Sequence, residues 1–212
     1  SLPQPPRVTM ARPCRCATLL PLLFLLLTGQ SAAQGPAARR ELAALRDSLA
    51  RVTDSVPLLA LEKQWMGQAR RDRDSAMVHL RLGFVAVRLG EVGGKKHYDD
   101  AASEFQWATT LQPTWPYGWF GLGLAELGVG DSDFSPVAGL KTMLGKDALT
   151  RSANAFARSA EVDPSFVIGL VELSNTALRQ IVNARMDVAL AALRRASRTP
   201  AARHPDVLLA RA

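Results

Sequence analysis

The residues whose types suit metal, nucleophile or acid–base chemistry are few: His79, His97 and His204, the neighbouring Asp99 and Asp100, the pair Asp131 and Asp133, and Cys14 with Cys16. Their spacing does not gather them. His97 and Asp99 stand at i and i+2, which diverge on a helix, and carboxylates at a helix start simply match its positive end. Asp131 and Asp133 with Ser132 and Ser135 have the opening of a calcium loop, but the central Gly and downstream bidentate Glu that such a loop needs are missing. No nucleophile elbow and no phosphate-binding Gly loop occurs in the sequence. The expectation is therefore a non-enzymatic protein with no catalytic residue, no metal site and no cofactor.

The cysteines belong to a leader. Arg12 and Arg15 precede an almost purely apolar run, Ala17 to Thr28, and Ser31, Ala32 and Ala33 supply small residues before Gln34. This is the layout that a signal peptidase cuts, here after Ala33, and it predicts export to the periplasm or cell envelope. The run, of about a dozen residues, is too short to cross a bilayer comfortably. Membrane association is then expected only through an uncleaved leader. Cys14 and Cys16 would leave with it, so thiol and disulfide chemistry are absent from the rest of the chain.

Composition narrows the classes further. With 48% hydrophobic and 21% charged residues, the 212-residue chain is rich enough in apolar groups to fold. The formal charge is +7, and removing Arg7, Arg12 and Arg15 with the leader leaves about +4. The densest basic run, Arg70, Arg71 and Arg73, is interleaved with Asp72 and Asp74, so no nucleic-acid partner is expected.

The elements that would position any site are helices. Leu42, Leu45, Leu49 and Val52 recur at spacings of three and four, which predicts an amphipathic helix over Arg39 to Val52. Pro57 is expected to break it, and Leu58 to Arg71 forms a second helix offering Leu59, Leu61, Trp65 and Met66 for burial. Residues 34–73 thus read as an N-terminal hairpin, either a cap or a degenerate repeat. Further on, Ala101, Phe105 and Ala108 share one helical face, and Pro113 closes that helix. Trp119, Leu122 and Gly123 share a face of the next, where a Gly lets a neighbouring helix approach.

That alternation resembles the tetratricopeptide (TPR) repeat, whose first helix carries Trp, Leu and Gly at this spacing and whose second carries Ala, an aromatic, Ala and then Pro. Leu82 and Gly83 fit the first-helix pair of an earlier unit, although His79 replaces Trp. Ser152, Phe156 and Ser159, closed by Pro164, fit a second helix with Ser for Ala. A third unit has Leu170, Leu173 and Ser174, then Ala189, Leu193 and Ala196. The resemblance spans residues 74–212 and departs from the family in two enlarged connections, the larger an insert near 128–146. It implies an all-α fold, an α-solenoid of antiparallel helix pairs coiled into a superhelix.

Such proteins hold peptide or protein partners on the concave face or in inserted loops, so the resemblance implies a protein–protein interaction scaffold. Polar first-helix residues off the core face are the candidate contacts: Arg81 and Arg88, Glu126, Asn175 and Arg179. Trp115 and Tyr117 join them because they fall in the turn between units, where a ring escapes the core. The alternative is a recognition or regulatory segment of a longer exported protein, an enzyme or a non-enzyme, whose chain is expected to continue past Ala212. Open-ended helix arrays also stack, which makes a homo-oligomer a further expectation.

Overall fold

In the computed structural model, residues 34–132, 147–179, 185–200 and 203 are described, and among them the structure is entirely helical. Eight helices follow one another: α1 (Pro36–Ala50), α2 (Ser55–Ala69), α3 (Ala76–Gly93), α4 (Lys96–Leu111), α5 (Pro116–Ser132), α6 (Ala148–Val162), α7 (Val167–Arg179) and α8 (Met186–Ser197). Local chemistry sets several ends. Asp54 accepts a hydrogen bond from the Val56 amide (3.0 Å) and caps α2. Asp147 accepts from the Thr150 amide (3.4 Å) and caps α6. Gly94, at φ +120°, turns the chain between α3 and α4, a conformation that suits only glycine.

Successive helices from α2 to α8 pack on their neighbours, and α3 also packs on α5 and on α1. The register of three of them can be read from glycines and rings. The Phe105 ring of α4 lies where a side chain on Gly83 of α3 or Gly121 of α5 would have to go, with carbon positions as close as 2.8 and 2.1 Å. One heptad away, the Tyr98 ring fills the same role between Gly90 and Gly128. The pairings run 98 with 90 and 128, then 105 with 83 and 121. Therefore α4 is antiparallel to both partners, and α3 and α5 run parallel. Phe105, Ala101 and Ala108 are accordingly buried to within 2% exposure.

Several sequence expectations change. Pro57 does not break a helix; it lies in the first turn of α2, where its missing N–H is not needed. In that helix Leu58 is the buried residue, whereas Leu59 and Met66 are 45% and 42% exposed. Tyr117 is not in a turn, because Pro116 starts α5 and carries it into the first helical turn. The insert also begins later than the glycines suggest. Gly128 and Gly130 are helical, since α5 continues to Ser132, and the rest of the 128–146 segment lies largely outside the described residues. So do the leader, residues 1–33, and His204.

Candidate functional site

The second half of the chain repeats the small-next-to-large packing. Phe156 of α6 occupies the space beside Gly123 of α5, 2.5 Å from where a Cβ would stand, and the Ser152 hydroxyl donates to the Gly123 carbonyl at 2.7 Å. Around these contacts the aromatic rings form one cluster. Phe84 meets Phe105 at 5.0 Å and Tyr117 at 6.2 Å between centroids, and Tyr117 meets Phe166 at 4.9 Å. Phe120 completes it against Tyr117, Phe156 and Phe166 at 6.3, 5.7 and 5.6 Å. Phe84, Tyr117 and Phe120 come from α3 and α5, which run parallel.

Over these rings lies α1. Its Arg46 guanidinium sits 4.6 Å from the Phe120 centroid and 6.0 Å from that of Phe84, close enough for cation–π attraction. Leu42 and Leu49 flank it on the same face, at 0% and 4% exposure. Burial pushes the Tyr117 hydroxyl above its ordinary pKa, and the positive charges of Arg46 and Arg39 offset only part of that. Ionic contacts hold the helix at two further points. Arg39 pairs with Asp163, at the end of α6, and Glu41 accepts from Arg81 Nε of α3 at 2.7 Å. For Asp163, burial favours the neutral acid, but hydrogen bonds from the Ser165 hydroxyl and amide and from Arg39 outweigh it, leaving the carboxyl below its ordinary pKa.

The candidate contact residues are scattered across this arrangement. Arg81 is committed to Glu41 and also lies over the Trp65 ring at 4.6 Å, tying α1, α2 and α3 together. Arg88 donates from Nε to the Val52 carbonyl (2.9 Å) and pairs with Glu91. Glu126 is buried and takes both arms of Arg151, at 2.9 and 2.7 Å. Arg179 pairs with Asp131 at 2.6 Å. Asn175 is exposed, Trp115 is half-buried against the core, and Tyr117 is buried within it.

Among the packing residues, Leu82, Gly83, Gly123, Phe156, Ala189 and Ala196 are buried, and Leu122 and Leu193 are half-buried. Pro113 and Pro164 are exposed in the turns that follow α4 and α6. Trp119 is half-buried rather than central: its indole N–H donates to the Pro113 carbonyl at 2.8 Å, and Phe120 beside it is the fully buried ring. His79 is engaged at both nitrogens, Nδ1 with Glu104 at 2.7 Å and Nε2 with the Arg73 carbonyl at 2.9 Å. Among the described residues no cluster of three or more His, Cys, Asp or Glu could hold a metal ion, and no helix is long and apolar enough to cross a membrane.

Sequence reasoning passed over Arg46, Phe84 and Asp163. For Arg46 a signal existed, since an arginine at i+4 from Leu42 and i−3 from Leu49 lies in the apolar stripe of its helix. Among the described residues these features define an all-α arrangement of consecutively packed helices in which α1 covers an aromatic surface. The chain matches no known family model and no curated protein.

Proposed function

We propose that the protein is a TPR-like α-solenoid that acts as an exported, non-enzymatic scaffold, holding a peptide or protein partner in the periplasm or cell envelope. The observation that carries the reading is the paired use of glycine and aromatic side chains. Gly83 with Phe105 and Gly123 with Phe156 stand at the same places in consecutive helix pairs, with α3 and α5 parallel and α4 antiparallel between them. Repetition of one such unit stacks into a solenoid, and the first helices of the units line one long face suited to an extended ligand. The rings of α3 and α5 are covered by α1, so in this reading the accessible part of that face is polar, with Asn175 of α7 exposed on it. Export rests on the leader sequence, with cleavage after Ala33.

Affinity capture from a cell-envelope extract tests the scaffold role. The chain is immobilised beside two variants, one with residues 133–146 replaced by a short turn and one with the exposed Asn175→Ala. Circular dichroism establishes that both variants keep their helices. Retention of one specific protein by the parent chain, lost in either variant, is the expected result. A helical, soluble parent chain that retains no protein ends the scaffold reading.

A further inference from the structure

The first described residue, Gln34, is polar and yet enclosed. It is 3% exposed, and neither its Oε1 nor its Nε2 has a hydrogen-bond partner among the described residues. A primary amide offers two donors and an acceptor, and burying them unpaired disfavours the fold. The backbone around it is fixed all the same. The Gln34 carbonyl accepts from Arg39 Nε at 3.0 Å, and the Gly35 carbonyl accepts from the Arg39 amide at 3.1 Å, at the start of α1. The Arg39 guanidinium reaches on to Asp163. Gln34 is therefore held at the corner where α1 begins and the turn after α6 passes.

The small residues before it put the expected cut of the leader on its N-terminal side, after Ala33. Cleavage there makes Gln34 a chain terminus and sets a new α-amine at this corner. The surroundings do not suit an added cation. The positive end of α1 begins one residue on, at its N-cap Gly35, and the first turn of that helix has no acidic residue. Arg39 is already present, the Asp163 carboxylate is engaged by Arg39 and Ser165, and Glu41 is engaged by Arg81. A terminal ammonium would thus add positive charge to a positive helix end, on the residue whose side-chain amide is already buried without a partner.

We propose that Gln34 is a modification site: once the leader is cut, its α-amine closes on its own side chain to give an N-terminal pyroglutamate. The neutral amine nitrogen attacks Cδ, the new N–Cδ bond completes a five-membered lactam, and the Cδ–Nε2 bond breaks. Nε2 leaves as ammonia with the hydrogen that the amine gives up, so the step needs no oxidant and no second reactant. A positive helix end favours the neutral amine, which is the nucleophile. The lactam keeps one N–H and one carbonyl, so closure removes both the terminal charge and the unpaired Nε2 donors. The inference rests on the proposed cleavage after Ala33 and assigns the chemistry of the end that cleavage creates.

Peptide mass mapping of the chain recovered from the cell envelope tests this. Trypsin cutting after Arg39 releases residues 34–39. That peptide is expected to be one ammonia lighter than its sequence mass and unreactive toward amine labels. A synthetic peptide of the same residues, carried through the same digestion, measures closure caused by handling. A second measurement reads the effect on the fold. The chain is released from a cleavable tag at Gln34 and melted before and after closure, beside Gln34→Ala, which cannot close. The closed form should melt roughly 2–4 °C higher than the open one, and Gln34→Ala should not change over the same incubation.

A chain that starts at Gln34 with its amine free would overturn the proposal and leave the cleavage reading standing. So would closure no greater than in the synthetic control. A chain that starts at another residue would end the cleavage reading and the proposal together. Equal melting of the open and closed forms would overturn the role given to the buried corner.

Discussion

Phe105 shows how a single side chain sets the spacing of three helices. It fits between α3 and α5 because neither Gly83 nor Gly121 has a Cβ, and a methyl group on Gly121 would meet the ring at 2.1 Å. Gly121→Ala should therefore cost about 1–3 kcal/mol or more, as overpacked cores do. Gly67 is the contrasting case. It lies inside α2, where an added Cβ meets nothing within 4 Å, so Gly67→Ala should add about 0.5–1 kcal/mol through helix propensity. Chemical denaturation of the two variants beside the parent chain decides both, and stabilisation by Gly121→Ala would contradict the packing described.

Ion pairs divide by burial in the same way. Arg151 compensates Glu126, whose side chain is 9% exposed, whereas Arg158 and Glu161 are each more than half exposed. Removing Arg151 leaves a buried carboxylate without its guanidinium, and Arg151→Ala should lower stability by roughly 1–3 kcal/mol. The exposed pair contributes less than about 1 kcal/mol, so Arg158→Ala should be close to neutral. Thermal unfolding at low and at high salt separates them, since only the exposed pair is well screened.

At the scale of elements, α1 is where stability and acidity meet. Asp163 has its pKa held below the ordinary carboxylate value by Ser165 and Arg39 despite partial burial. A carboxyl that is more acidic in the folded state than in the unfolded one stabilises the fold above its unfolded pKa. That contribution disappears as the pH falls through the depressed folded value. Protection of the α1 amides should consequently drop on acidification ahead of protection in α4, whose glycine-bracketed rings carry no charge. Asp163→Asn should flatten this pH dependence, and an unchanged dependence in that variant would show that other groups hold the helix.

The molecule as a whole buries Tyr117 in its core and half-buries Tyr98 between α3 and α5. Tyr98 is raised above its ordinary pKa of 10.0 first by burial and then by the charges of Glu91 and Asp131, and Tyr117 is raised by burial against the opposing pull of Arg46 and Arg39. Ultraviolet titration of the native chain should therefore find no tyrosinate step at the ordinary value of 10.0, and unfolding the chain should restore one. A tyrosine that ionises less readily when folded stabilises the protein below its unfolded pKa, and this stabilisation is lost as the pH climbs through the raised value. Alkaline unfolding should then coincide with the delayed titration. Because α3, α4 and α5 share Tyr98 and Phe105, they are expected to unfold together as one cooperative unit.

Helices, their order and the small-beside-aromatic pairing were legible from residue spacing alone, because helical periodicity and the chemistry of Pro, Gly and Asp act within a few residues. Ala101, Phe105 and Ala108 on one face, or Gly83 and Gly123 at close approaches, require no knowledge of what lies across from them. Tertiary structure decided what faces what. A stripe of Leu42, Leu45 and Leu49 is apolar whether it meets α2 alone or spans two helix pairs, so its place over Phe84 and Phe120 could not be read from α1 itself. The same holds for Trp119 and Phe120, neighbours on one helix whose difference in burial depends on where α6 passes. Periodicity identifies the face that a helix hides, and only the fold supplies the partner that hides it.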